Sequence, residues 1–326
     1  MKFMHSSLVV SLILSLSVTL SCFTCLYGSS KNDRYPNYIT YELSGGRLGD
    51  NIIAYLHAKW LSHVHGIALL YKPFQYSSDL SLSQTDLSIT DIDISSCITR
   101  KYRKEMPIEK TSNEVSTIYV VHYFPESSWE KTLGVRHNGK PWVDIFDVDW
   151  NDSIFKALAK KAITPCKQLN LVAPKENTLS IAIHFREGGG FDTNIDALNL
   201  PLKFPPFEFY VNALNSIIRS SQSKKIYCYL FTDSQNPGFW AQKLQEAMDK
   251  NQNITIDYRN TNNKHDQNIL EDFFSLFSFD ILIYPQSNFS MVPALIHNYH
   301  LSCTLSSNQK DVKDDYYLVF KENDSN

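Results

Sequence analysis

Glycine is scarce in this chain, 11 residues in 326, and six of the 11 fall in two short runs: Gly45, Gly46 and Gly49, then Gly188, Gly189 and Gly190. A residue without a Cβ, used this sparingly, marks places where backbone bends unusually or approaches something closely. Excess charge is also missing. With 31 Lys+Arg against 34 Asp+Glu the formal net charge is −3, which excludes holding nucleic acid by general phosphate neutralisation, since that needs surplus clustered cations. Cysteine supplies no framework: Cys22 and Cys25 lie near the N-terminus, and Cys97, Cys166, Cys228 and Cys303 are scattered without CxxC spacing, so no zinc signature is present. Cys228, inside an apolar run, reads as core. There is no GxGxxG fingerprint and no P-loop Lys-Ser/Thr, so neither NAD binding nor simple ATP use follows. No solenoid-period repeat is visible. With 43% hydrophobic residues, the chain has enough material for one large or two medium cores.

Long apolar runs are confined to one place. Residues 1–30 carry a Lys near the start, an apolar stretch from Leu8 to Leu20, then small and polar residues, the pattern of a signal peptide. The uncharged run Ser6–Gly28 is also long enough to span a bilayer as a retained anchor. Both readings imply export or membrane anchoring, with membrane association through residues 6–28.

The remainder alternates. Tyr38–Leu43 reads as a strand, Ser44–Asp50 as a glycine loop, Asn51–His65 as an amphipathic helix and Ile67–Tyr71 as a second strand, a βαβ unit. Residues 73–117 are polar and weakly periodic, a loop-rich insertion. Ile118–Phe124 resumes as a strand and Ser153–Ala162 as a helix, and Thr164–Asn177, rich in Pro, Lys, Asn and Gln, reads as a linker. Beyond it come strand Leu179–Phe185, helix Phe207–Arg219, strand Lys225–Phe231, helix Gly238–Asp249, strand Ile254–Tyr258, helix Gln267–Phe277, strand Asp280–Tyr284 and helix Met291–His297. Alternating strands and helices imply parallel sheets covered on both faces. The expected organisation is α/β: a domain over 36–165 and a second over 175–326, both Rossmann-like.

Ligands of such sheets bind beyond the carboxyl ends of the strands, and every unusual segment lies at such an end. Ser44-Gly45-Gly46-Arg47-Leu48-Gly49-Asp50-Asn51 closes a strand and opens a helix; it offers amides to a ligand, or is only a tight turn with Asp50 as the helix cap. His184-Phe185-Arg186-Glu187-Gly188-Gly189-Gly190 puts His184 and Arg186 on one face of a strand end. There a guanidinium can clasp a diphosphate through its planar fork, although His184 alone also fits a core histidine. Phe231-Thr232-Asp233-Ser234 brings a carboxylate that could accept bonds from a ribose or a base, or cap the turn before Pro237. Ser287-Asn288-Phe289-Ser290 offers hydroxyls and helix N-terminal amides to a phosphate, and Asp272 either reads a purine's donor edge or complements a helix dipole. Arg136-His137-Asn138-Gly139 superficially suggests a phosphohistidine site, but does not directly follow a strand.

In this order the four segments resemble the motifs of the fucosyltransferase superfamily, which includes α1,2-fucosyltransferases, nodulation α1,6-fucosyltransferases and protein O-fucosyltransferases. The glycine loop is similar to their Gly-Gly/Arg-x-Gly-Asn loop, His184-Phe185-Arg186 to their H-x-R motif, Phe231 to Ser234 to their (F/T)-(S/T)-D segment, and Ser287 to Ser290 to their S-x-F-S segment. The resemblance implies a GT-B fold, two Rossmann-like domains with parallel sheets facing a central cleft. It implies an inverting, metal-independent glycosyltransferase moving fucose from GDP-fucose to a glycan acceptor hydroxyl, with no cofactor. Arg186 would stabilise the leaving diphosphate. The donor would be held by His184, Arg186, Gly188, Gly189, Asp233, Asp272 (against guanine) and Ser287, Asn288, Phe289 and Ser290. Gly45, Gly46, Arg47, Gly49 and Asn51 would form the acceptor-side loop, with Arg47 and Asp50 beside the reaction. The family's loop Asn is Asp50 here, followed by Asn51, and an Asp there could serve as general base. Arg186 is followed by Glu and three glycines, a departure that bears on the donor sugar. A GT-B transferase using another nucleotide sugar, and a glycan-binding protein that lost turnover, are the alternatives.

Overall fold

Two sheets organise the chain, seen in a computed structural model that describes residues 35–122, 148–188, 202–221, 225–248, 253–263, 266–307 and 316–322. Residues 1–30 and Arg136–Gly139, named above, lie outside the described residues. Among the described residues no helix is long and apolar enough to cross a membrane.

The first sheet contains β1 (Tyr38–Tyr41), β2 (Ala68–Tyr71), β3 (Leu87–Ser88), β4 (Ile98–Lys101) and β5 (Thr117–Val121), all parallel, in the order β3-β2-β1-β5-β4. β3 and β4 fall inside the segment expected to be a loop-rich insertion. β4 is exposed at all four positions, so its sequence carries no buried alternation from which a strand could be read. Between β1 and β2 runs helix α1 (Leu48–His65), which begins three residues earlier than its apolar spacing predicts. The Arg47 amide donates to Asp50 Oδ2 at 3.0 Å, and the Asn51 amide donates to the Arg47 carbonyl at 3.1 Å. Gly49 and Asp50 therefore belong to the first helical turn. The helix ends on Gly66, whose φ of 62° suits the left-handed cap. Helix α2 (Ser153–Ile163) packs on the same core, capped at its start by Asp152.

The second sheet holds β6 (Leu179–Phe185), β7 (Ile226–Thr232), β8 (Ile254–Tyr258), β9 (Ile281–Ile283), β10 (Leu301–Ser307) and β11 (Tyr316–Glu322) in the order β8-β7-β6-β9-β10-β11. The first five are parallel and β11 is antiparallel to β10. This is the doubly wound arrangement in which the strand order reverses beside the first strand, leaving a crevice between β6 and β9. Alternation sorts β6 cleanly. Ile181, Ile183 and Phe185 pack with helices α3 (Phe207–Ser220) and α4 (Pro237–Ala247) on one face, and Ala182 packs with Tyr227, Phe231 and Leu282 on the other. β10 and β11 were not expected. In β10, Leu301, Cys303 and Leu305 alternate with Ser302, Thr304 and Ser306, a period-2 pattern, and the polar face is buried as well.

Helices α5 (Ile269–Ser275) and α6 (Asn288–Ile296) flank β9 in sequence but contribute Leu270, Phe273, Phe274, Met291, Val292 and Ile296 to the core of the first sheet. The two Rossmann-like units thus share apolar contact, and the architecture is GT-B-like. At the tightest point the N-termini of α1 and α6 meet. A Cβ on Gly49 would stand 2.5 Å from the Asn288 carbonyl carbon and from the Phe289 amide nitrogen. Alanine in a helix normally gains about 1 kcal/mol over glycine; at Gly49 the sign should reverse. Gly49→Ala is expected to lower unfolding stability by about 1–3 kcal/mol, the usual cost of overpacking, as read by urea denaturation; a gain would show that the helices do not touch here.

Candidate active site

The site is assembled where two strand ends and two helix starts converge. β6 ends at Phe185 and β9 at Ile283, the pair of strands flanking the crevice of the second sheet. Chain leaving β6 delivers His184 and Arg186, and chain leaving β9 turns through Pro285 and Gln286 into α6. Gln286 fixes that turn, its amide donating to the Leu202 carbonyl at 2.8 Å and its side chain to the Leu305 carbonyl at 3.1 Å.

Arg186 reaches across the crevice, Nη1 donating to Ser287 Oγ at 2.9 Å, and its guanidinium carbon stands 5.4 Å from the Phe204 ring centre. Ser287 is the residue preceding α6, yet its hydroxyl makes no cap bond to the helix; it serves Arg186. His184 is buried against Phe289 and bonded through Nδ1 to Ser290 Oγ at 2.6 Å. Burial first, then the charges of Arg186 and Arg47, push the imidazole down from 6.5 to about 3. His184 is therefore a neutral strut between β6 and α6, and the positive charge at the site comes from the arginines. Arg47 belongs to the first unit and Arg186 to the second; both lie close enough to bear on this one ring.

The first unit's loop is stitched internally. Ser44 Oγ accepts from the Gly46 amide at 2.9 Å and donates to Asn51 Oδ1 at 3.3 Å, while Asn51 Nδ2 donates to the Gly46 carbonyl at 3.1 Å. Gly45 takes a φ of +73°, and at Gly46 a Cβ would collide with the Asp50 carboxylate. Asp50 faces the interface: Oδ2 accepts from the Arg47 amide, and Oδ1 accepts from Asn288 Nδ2 at 2.5 Å. Each oxygen thus accepts one bond, joining α1 to its cap and to α6.

Two donor-side carboxylates also have structural partners. Asp233 Oδ1 accepts from the Glu187 amide at 2.8 Å and the Gly188 amide at 3.4 Å, holding the turn after β6. Gly188 has a φ of +106°, a conformation that a side chain would strain. Gly189 and Gly190 lie outside the described residues. Asp272, expected at guanine, is ion-paired with Arg259 at 2.5 Å; burial raises its carboxyl pKa and the Arg259 charge opposes that shift. The structure therefore brings His184, Arg186, Ser287, Asn288, Phe289, Ser290, Arg47 and Asp50 together and assigns Asp272 to a separate pair. Sequence reasoning missed Phe204 and Arg259; each stands in or beside a polar, irregular stretch with no pattern to single it out. Among the described residues no group of three or more His, Cys, Asp or Glu side chains is placed to hold a metal.

A histidine held neutral only by folding makes stability depend on pH. The unfolded ring binds a proton below its ordinary 6.5, and the folded ring only near 3. Stability from this group is therefore complete above 6.5 and is lost as pH falls from there toward 3. Between pH 7 and pH 5 the wild type should lose about 2 kcal/mol relative to His184→Gln, measured by urea unfolding at each pH. An unchanged difference would mean that the ring is protonated in the fold.

No family profile matches the sequence, and no curated protein sequence matches it. Among solved structures the chain is similar to a variant of FUT1 from Arabidopsis thaliana in complex with GDP, at 14% identity and a TM-score of 0.49, over 82% of this chain and 70% of that one. It is also similar to the α-1,6-fucosyltransferase NodZ soaked with GDP-fucose, at 11% identity and a TM-score of 0.49, over 89% of this chain and 100% of that one. The fucosyltransferase NodZ from Bradyrhizobium in selenomethionine form gives a TM-score of 0.45 at 11% identity, over 89% of this chain and 99% of that one.

Proposed function

We propose that the protein is an inverting glycosyltransferase that needs no metal and transfers a sugar, fucose from GDP-fucose, to a glycan hydroxyl. The observation that carries this reading is that the abutting helix N-termini bring Arg186 and, from the other unit, Arg47 near enough for both charges to bear on one neutral buried imidazole. Helix N-termini carry partial positive charge and unsatisfied amides, and guanidiniums match phosphate oxygens in a planar fork. A diphosphate is the ligand that such a place fits. As the bond between anomeric carbon and phosphate oxygen breaks, the leaving diphosphate gains negative charge, and Arg186, steadied by Ser287 and Phe204, stabilises it. Attack by an acceptor hydroxyl from the opposite side inverts the anomeric centre. Residues 6–28 would export the enzyme or hold it at a membrane.

The pairing of Asp272 with Arg259 favours a second reading on one point, the base. A carboxylate already engaged is a weaker selector of guanine, so a donor carrying another base is the alternative. Calorimetry with GDP, UDP and ADP separates the two: the proposal expects GDP to bind at least tenfold tighter than the others, and tighter UDP or ADP binding would transfer the assignment to another nucleotide sugar. Arg186→Ala should weaken binding of the preferred diphosphate by ~10–150-fold, the value of ~1.5–3 kcal/mol for a charge-assisted bond, and chelation with EDTA should leave turnover of the sugar nucleotide unchanged. An Arg186→Ala variant with wild-type affinity would contradict the site.

A further inference from the structure

Asp50, the base candidate of the first loop, already accepts a hydrogen bond on each carboxylate oxygen, which lowers its basicity and leaves a place for a second candidate. The first sheet supplies one. Its strand order β3-β2-β1-β5-β4 reverses beside β1, so the crevice of this unit opens between the carboxyl ends of β1 and β5. Tyr41 and Val121 are paired in register there, and the next rung is the Glu42 amide donating to the Val121 carbonyl at 2.9 Å. One residue past each strand, Glu42 and His122 therefore stand side by side, and His122 Nδ1 donates to Glu42 Oε2 at 2.5 Å. A carboxylate only accepts, so this bond places the ring proton on Nδ1 and leaves Nε2 with a lone pair. His122 Nε2 is buried and, among the described residues, has no hydrogen-bond partner, an unsatisfied polar atom of the kind that calls for a functional explanation. Glu42 also leads directly into the loop Leu43 to Arg47 that supplies Arg47. The other ionisable side chains at neighbouring strand ends are Lys72 after β2, which feels the charge of Glu42, and Lys101 and Tyr102 at the end of β4.

On the transferase reading above, we propose that His122 is the general base of the reaction and that Glu42 is its positioning residue. The acceptor oxygen forms its bond to the anomeric carbon while the carbon–phosphate-oxygen bond breaks and its electron pair leaves with the diphosphate. The hydroxyl proton passes to His122 Nε2, and the resulting imidazolium is balanced by the Glu42 carboxylate. Arg186 and His122 would thus act from opposite units, one on the leaving group and one on the nucleophile.

Hydrolysis of GDP-fucose, with water as acceptor, tests this without a known glycan. His122→Gln is expected to lower kcat by ~10²–10⁴-fold, the usual yield of general base catalysis, with GDP affinity by calorimetry within twofold of wild type. The acid limb of the kcat–pH profile should vanish in His122→Gln. Glu42→Gln, which keeps the ring, should lower kcat with KM little changed and displace that limb, and Glu42→Asp should restore part of the rate; a merely structural Glu42 would move none of these. Wild-type kcat and an unaltered acid limb in His122→Gln, with GDP still bound, would overturn the base assignment alone. Should His122→Gln fail to fold, a Glu42→Gln variant with wild-type kcat and profile would overturn it equally. A wild type that neither binds GDP nor hydrolyses GDP-fucose would overturn the transferase reading and the base role with it.

Discussion

The abutment of α1 on α6 is the contact on which the remaining geometry depends. Two helix N-termini are placed together with so little room that a single methyl group on Gly49 would press into the backbone of Asn288 and Phe289. The Asp50–Asn288 hydrogen bond ties the same two turns. Because α6 also gives Met291, Val292 and Ile296 to the core beneath α1, the contact is buttressed by apolar burial as well as by polar bonds. Moving α1 by a few ångströms would separate Arg47 from Arg186 and from His184.

Such an arrangement is electrostatically uneven. Helix N-termini each present partial positive charge, and two guanidiniums add to it. The chain moderates this locally: His184 stays neutral, Asp50 lies in the first turn of α1, and Asn288 brings an amide rather than a cation. Two guanidiniums and two helix N-termini give the site donors of the kind that suit an anion. Asp233 supports the same site. By accepting the Glu187 and Gly188 amides, it fixes the turn from which Arg186 projects.

Much of this was legible in the sequence, for reasons that differ by element. The buried strands β6 and β7 and the helix α3 carry strong period-2 and period-3.6 patterns and fall where those patterns place them. The two segments bearing His184 to Arg186 and Ser287 to Ser290 could be read as strand-end loops, and they meet in the crevice. Local chemistry hid other features. A glycine and an aspartate at 49 and 50 look like loop, yet an Asp three residues past the cap completes a first helical turn. β4 buries nothing, so it lacks the contrast that betrays a strand, whereas β10 carries a period-2 alternation that was there to be read. Long-range partners were not legible at all. Nothing near Asp272 in sequence announces Arg259, nothing near Asp50 announces Asn288, and the Glu42–His122 pair is created by the register of β1 against β5 across 80 residues.

The central claim is that a diphosphate is held between the two units, by Arg47 from one and Arg186 from the other. The most direct measurement is titration calorimetry with inorganic pyrophosphate on wild type, Arg47→Gln, Arg186→Gln and the double variant, since this probe carries neither base nor sugar. The account predicts that each single substitution weakens binding at least tenfold, and that the two losses couple by ~0.5 kcal/mol or more, as expected for residues sharing one ligand. Undiminished pyrophosphate binding in Arg47→Gln would contradict it, leaving the anion on the second unit alone.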